Sequence, residues 1–236
     1  LPPDPPHPPP PSRNCPAGSI FFALKGESFD GNRFAAAALE KGCAYAVVDN
    51  PEVAVDKRYI LVDDCLATFQ ALAREHRRQF DIPVIGITGT NGKTTTKELV
   101  AAVLSEKYRV HCTQGNFNND IGVPKTLFGL KPEHQIAVVE MGASHPGDIK
   151  RLVETAEPTC GIITNVGKAH LMGFGSFEGV IRTKGELYDY LRQREGSKVF
   201  INAGDEHLAG ISTGLDLVRY GLTGPEGLAG RRGGGR

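Results

Sequence analysis

From Ser19 onward, short apolar runs alternate with longer stretches in which apolar residues recur every three or four positions, a pattern of strands followed by helices. In the first part, SIFFAL, AYAVVD and RYILVDD read as strands, and RFAAAALEKG reads as a helix closed by Gly42. CLATFQALAREHRRQF sets Leu66, Phe69, Leu72 and Ala73 on one side with basic residues opposite, a surface helix that Asp81-Ile82-Pro83 breaks. Beyond the break the alternation is strict: PVIGIT, a helix from Lys93 to about Tyr108, RVHCT, VPKTLFGL, QIAVVEMG, GDIKRLVETA, TCGIITN, a helix near 178 to 192, and KVFINAG. DLVRYGL adds a last strand. Short apolar strands between helices predict an α/β fold with a mostly parallel sheet covered on both faces. The two ends break the pattern. LPPDPPHPPPP lacks most of its backbone donors and is expected to be disordered over 1–11, and TGPEGLAGRRGGGR is too glycine-rich to pack, a tail over 223–236.

A length of 236 residues favours two domains, placed at 12–81 and 82–222. Lys plus Arg and Asp plus Glu are 27 each, so no charge excess points to nucleic acid. The five cysteines are odd in number and never spaced C-x-x-C, as expected of reduced thiols in a cytoplasmic protein. No apolar stretch is long enough to span a membrane.

The run GITGTNGKTTTKEL resembles a phosphate-binding loop, although the usual G-x-x-x-x-G-K-[ST] spacing would require glycine where Ile87 stands. Its context fits: a buried strand before it, glycines at the turn, a helix opening at the lysine. Gly89 and Gly92 let backbone N–H groups point at phosphate oxygens, Lys93 would neutralise phosphate charge, and Thr94 would offer a hydroxyl to Mg²⁺. The plainer alternative is a Gly-Asn-Gly turn before an ordinary helix cap.

Ligands of open parallel sheets collect beyond the carboxyl ends of the strands. There stand Glu140, either a second Mg²⁺ ligand or an exposed strand end, and Asn165 and His170 in a glycine-rich loop, His170 either a metal ligand or simply exposed. Asn202 and Asp205 follow a further strand, Asp205 being equally able to cap a helix. Val180, Lys184, Leu187 and Leu191 share one helix face, which turns Lys184 inward. A buried lysine has a lowered pKa and a neutral amine able to take up carbon dioxide as a carbamate; a snorkelling surface lysine is the alternative. Asn116, Asn118 and Asn119 form an amide loop that either binds a polar substrate or serves turn formation.

Together these motifs resemble the Mur ligases, ATP-dependent amide-forming enzymes of peptidoglycan precursor synthesis, from about Ser12 to Leu222. In that family the loop reads G-T-N-G-K-T, matched by Gly89 to Thr94, so glycine at 87 is not required. The resemblance implies that Gly89, Thr90, Asn91, Gly92, Lys93, Thr94 and Thr95, with Asn202 and Asp205, serve ATP. It implies two Mg²⁺ ions, one on Thr94 and Glu140 and one on His170 and a carbamylated Lys184, and an amide loop for the muramoyl-peptide. Residues 12–81 would be a small α/β domain binding UDP-MurNAc, and 82–222 a partial P-loop domain. IFFALKGESFDGNRF and VVEMGASHPGDI are most similar to the branch whose substrates are UDP-MurNAc-tripeptide and D-Ala-D-Ala, acting as a cytoplasmic monomer. Met141-Gly142-Ala143 replaces the Ser-Ser-His run usual in the tripeptide-forming branch.

The family's D-[ST]-R motif stands here as Pro11-Ser12-Arg13, leaving Ser12 and Arg13 as the UDP-sugar candidates. The resemblance also implies that the chain ends before the adenine-contacting segment and third domain, so little activity is expected of it alone. A non-catalytic nucleotide or UDP-sugar binding module, and a folate-type polyglutamate ligase, are the competing readings.

Overall fold

The computed structural model describes residues 15–26, 28–167, 171–221 and 231–232. The chain divides between Ala71 and Leu72 into two compact units.

The first unit contains β1 (Ile20–Phe22), β2 (Lys25–Gly26), β3 (Phe29–Asp30), α1 (Ala35–Glu40), β4 (Tyr45–Val48), β5 (Tyr59–Leu61) and the start of α2 (Cys65–Arg78). β1, β4 and β5 form a parallel three-stranded sheet in that order. Ala23, Ala35, Ala38, Leu39, Val47 and Val48 make its core, and Phe22 meets Phe69 edge to face at 5.0 Å. The antiparallel pair β2–β3 was not expected from the sequence, because strands of two residues are too short to show alternation.

The second half of α2 belongs to the second unit. Ala73 lies in that unit's core, and Arg77 donates from Nε to Ala156 O and from Nη2 to Glu157 O. The division therefore falls inside the helix, ahead of the expected boundary at 81–82.

The second unit continues with β6 (Val84–Thr88), α3 (Lys93–Ser105), β7 (Val110–Cys112), α4 (Gly122–Phe128), β8 (Ile136–Glu140), α5 (Asp148–Ala156), β9 (Cys160–Ile163), α6 (Leu171–Phe174), α7 (Phe177–Arg192), β10 (Lys198–Asn202), α8 (Glu206–Gly210), β11 (Leu217–Tyr220) and β12 (Arg231–Arg232). The strand order is β7-β8-β6-β9-β10-β11-β12, parallel except for β12. The mostly parallel α/β architecture is thus as expected. The glycine-rich end differs from expectation at two residues, Arg231 and Arg232, which pair with the otherwise open edge of β11.

Alternate strand positions face two cores. Val84, Ala137, Val139, Ile163, Val199 and Ile201 pack with residues of α4, α5, α7 and α8, while Ile85, Ile87, Val138, Ile162 and Phe200 pack with Val100 and Leu104 of α3. The fully buried Val84, Ile87, Val138, Val139, Ile163 and Val199 each contribute roughly 1.5–3 kcal/mol over an exposed side chain. The chain leaves β6 for the far edge, returns through β8, then crosses β6 to β9. The reversal opens a crevice beyond the carboxyl end of β6. Among the described residues, no helix is long and apolar enough to cross a membrane, and the five cysteines form no disulfide.

Candidate active site

The loop leaving β6 is shaped by two glycines. Gly89 has φ +140°, and a Cβ there would collide with Thr164 Oγ1; Gly92, with φ +76°, turns the chain into α3 at Lys93. The segment after β9 braces this loop. Thr90 N donates to Asn165 O at 3.0 Å, Asn91 N to Asn165 Oδ1 at 3.1 Å, Asn165 Nδ2 to Asn91 O at 3.0 Å, and Gly167 N to Thr90 Oγ1 at 2.9 Å. Asn165 is therefore a support of the loop. The first N–H groups of α3 lack carbonyls one turn back, which makes the helix start a receptor for an anion. Lys93 curls over the loop, its Nζ donating to Gly89 O at 2.9 Å and Thr90 O at 3.1 Å. Burial lowers its pKa from the ordinary lysine value, with the Glu140 charge opposing.

Glu140 ends β8, beside β6, and is 1% exposed, so it is no solvated strand end. Its Oε1 accepts from Thr94 Oγ1 at 3.2 Å and Asn118 Nδ2 at 2.8 Å. Its Oε2 is buried and has no hydrogen-bond partner among the described residues. Leaving a carboxylate oxygen in that condition is costly, and an oxygen-seeking cation relieves the cost.

Lys184 points inward from α7, as its spacing predicted, and is 2% exposed. Its Nζ lies 3.5 Å from Ala143 O and 5.3 Å from the centre of the Phe174 ring. Burial, with the neighbouring Lys93 charge, lowers its pKa to about 8, against the pull of Asp148 and Glu186. Ala143, Lys93, Asn118, Asn119, His145 and Arg151 line one cleft of about 470 Å³.

The remaining candidates are more dispersed. Asn119 Oδ1 accepts from Ile121 N and Gly122 N, which starts α4, while Asn116 contributes a carbonyl to the turn at Asn118. Asn202 Oδ1 accepts from Gly204 N, and Asp205 Oδ1 caps α8 through Leu208 N at 3.1 Å, so the capping alternative for Asp205 is realised. Both stand at the end of β10, two strands from β6. Thr95 is exposed in the first turn of α3. Ser12, Arg13 and His170 lie outside the described residues.

Sequence reasoning missed part of the cleft wall. Asp148 Oδ2 accepts from Ser144 N and His145 N, and Arg151 Nη2 donates to Asp148 Oδ1 at 2.6 Å. A Pro-Gly turn followed by an acidic residue at a helix start was the available signal. Lys97 was missed as well, although its spacing from Ala101 and Leu104 puts it on the inner face of α3.

The sequence matches the Mur ligase middle domain over residues 87–229 and the Mur ligase family catalytic domain over residues 11–77. It is 47% identical over 178 residues to the UDP-N-acetylmuramoyl-tripeptide–D-alanyl-D-alanine ligase of Synechocystis sp., covering 75% of this chain and 39% of that protein. The fold is similar to that of MurF from Acinetobacter baumannii, with a TM-score of 0.83 and 32% identity over 93% of this chain and 53% of that one. It is also similar to the MurF ligase from Thermotoga maritima in complex with ADP, with a TM-score of 0.82 and 34% identity over 90% of this chain and 48% of that one. The chain spans about two fifths of the length of the curated relatives it matches.

Proposed function

This chain belongs to the Mur ligase family, and from that premise we propose that it carries the phosphate-handling centre of a ligase that joins D-alanyl-D-alanine to UDP-MurNAc-tripeptide. In the proposed reaction the terminal phosphoryl group of ATP passes to the terminal carboxylate of the tripeptide, giving an acyl phosphate. The amine of D-Ala-D-Ala attacks the acyl carbon, phosphate leaves, and an amide remains. No covalent protein nucleophile is required.

The roles follow from the site. The N–H groups opening α3 receive phosphate oxygens, and Lys93 exchanges the Gly89 and Thr90 carbonyls for them. Thr94, Glu140 and the unpartnered Oε2 offer the oxygen donors that Mg²⁺ takes, so the residues fit that ion. Bound there, magnesium would offset the repulsion between anionic phosphate and anionic carboxylate. A pKa of about 8 leaves roughly a tenth of Lys184 neutral at pH 7, where an ordinary lysine has less than a thousandth. That neutral fraction supports carbamylation, and the carbamate with His170 would hold a second Mg²⁺. Asn116, Asn118 and Asn119 would serve the peptide, Asn202 and Asp205 the nucleotide, and Ser12 and Arg13 the UDP-sugar. On this reading 12–81 is the UDP-MurNAc-binding domain and 82–222 the partial ATP-binding domain.

The observation that carries the proposal is Glu140, buried at the mouth of the phosphate loop with one oxygen on Thr94 and the other without a partner among the described residues. Labelled UDP-MurNAc-tripeptide is expected to bind the chain saturably and a folate not at all. Folate binding without tripeptide binding would overturn the assignment in favour of a polyglutamate ligase.

A further inference from the structure

One buried charge near the site has no part in the chemistry proposed above. Lys97 stands one turn along α3 from Lys93 and is fully buried. Its Nζ donates to Thr113 O at 2.7 Å and Gly115 O at 3.4 Å, and pairs with Glu98 Oε1 at 2.7 Å. Three donors thus meet three acceptors. An apolar side chain of similar length would fill the same space without removing a charge from water, so packing alone does not account for a lysine here.

We propose that Lys97 is a positioning residue that locks the amide loop, and through it the Glu140 carboxylate, to the helix bearing the phosphate-binding lysine. The inference rests on the reading of the site given under Proposed function. Thr113, gripped through its carbonyl, accepts the N–H of Glu140 on its own Oγ1 at 3.0 Å. Gly115 leads into the loop whose Asn118 donates to Glu140 Oε1 at 2.8 Å and accepts from Gly142 N at 2.7 Å. Thr94, three residues before Lys97, donates to the same Oε1. α3 therefore reaches Glu140 by two routes, one through Thr94 and one through Lys97, and the second fixes the amide that the first cannot touch. Within the loop, Phe117 N to Gln114 O and Asn118 N to Asn116 O are local bonds that shape a turn without anchoring it to α3.

Lys97→Met keeps the stem length and removes the donors. In the 236-residue chain, ATP affinity measured in EDTA should stay within about twofold of wild type, because the loop N–H groups and Lys93 supply it. The gain in ATP affinity on adding magnesium, and the affinity for UDP-MurNAc-tripeptide, should each fall at least about tenfold, the scale of a lost charged hydrogen bond. Amide hydrogen exchange over 114–119 should quicken while the sheet strands keep their protection. Unchanged affinities, or all three falling by a common factor, would overturn the proposal. If the wild-type chain binds neither ligand, the reading of the site fails and the Lys97 role fails with it, an outcome distinct from a binding wild type with an indifferent variant. Should Lys97→Met not fold, the wild-type chain decides. Exchange over 114–119 should slow at least about tenfold on adding magnesium and ATP, and unaltered exchange there would overturn the coupling.

Discussion

A lysine amine is costly to bury, and at Lys184 the desolvation outweighs the pull of Asp148 and Glu186. Its Nζ lies 3.5 Å from the Ala143 carbonyl, and its pKa falls from 10.5 to about 8. Between these values the unfolded chain holds the proton that the folded chain has released, so stability rises with pH. The gain is complete above the unfolded value and is lost as pH falls through about 8, and a shift of that size amounts to about 3 kcal/mol. In buffer free of metal and bicarbonate, Lys184→Met should therefore be more stable than wild type at pH 7, by up to about 3 kcal/mol. Urea unfolding should show that advantage shrinking toward zero by pH 10.5, the ordinary value for the amine. An advantage independent of pH would contradict the buried placement. Glu140 shows the opposite condition, a carboxylate given, among the described residues, two donors on one oxygen and none on the other. Both residues sit where an extra charge would relieve them.

Among the elements, the loop between β6 and α3 depends on two glycines for different reasons. Gly89 combines φ +140° with a Cβ position that Thr164 Oγ1 already occupies, whereas Gly92 has φ +76° and open space. Gly92→Ala should cost only the left-handed backbone penalty, about 1–2 kcal/mol. Gly89→Ala adds a steric collision and should cost at least about 3 kcal/mol and abolish ATP binding. Equal costs in urea unfolding would mean that the close approach to the β9 segment does not shape the loop. This element was legible in the sequence because a buried strand, two glycines and a helix start are all local signals. β8 with Glu140 was legible as a short apolar run, and the inward face of α7 through its period, which left a snorkelling Lys184 as the alternative. The two-residue strands β2 and β3 and the four-residue α6 were not, since pieces so short carry no period. Lys97 gripping Thr113, and Asn165 bracing Asn91, join residues far apart in sequence, and no local pattern encodes such a link. The amide loop was found by composition, yet its division of labour, Asn118 on Glu140 and Asn119 on the start of α4, needed the packed structure.

At the scale of the molecule, the strand order brings the phosphate-loop residues and Glu140 together at one edge of one sheet. The loop after β6 is flanked by Glu140 from β8 on one side and Asn165 from the segment after β9 on the other. The cleft beside it is walled by the turn into α5, whose Gly147 N and Lys150 N are held by Glu186 of α7. Asn202 and Asp205, two strands away, are placed along the same edge, and Asp205 already spends one oxygen on a helix cap. The chain spans about two fifths of its curated relatives, so complete ligation is proposed for a protein of their length and nucleotide binding for this chain. Titration calorimetry with magnesium and ATP on the wild-type chain and on Lys93→Ala tests that claim most directly. Wild type should bind one nucleotide, and the variant should lose about 10–100-fold in affinity, the worth of a charged hydrogen bond to phosphate. No binding by the wild-type chain, or equal binding by both, would contradict the assignment of this loop to the phosphates.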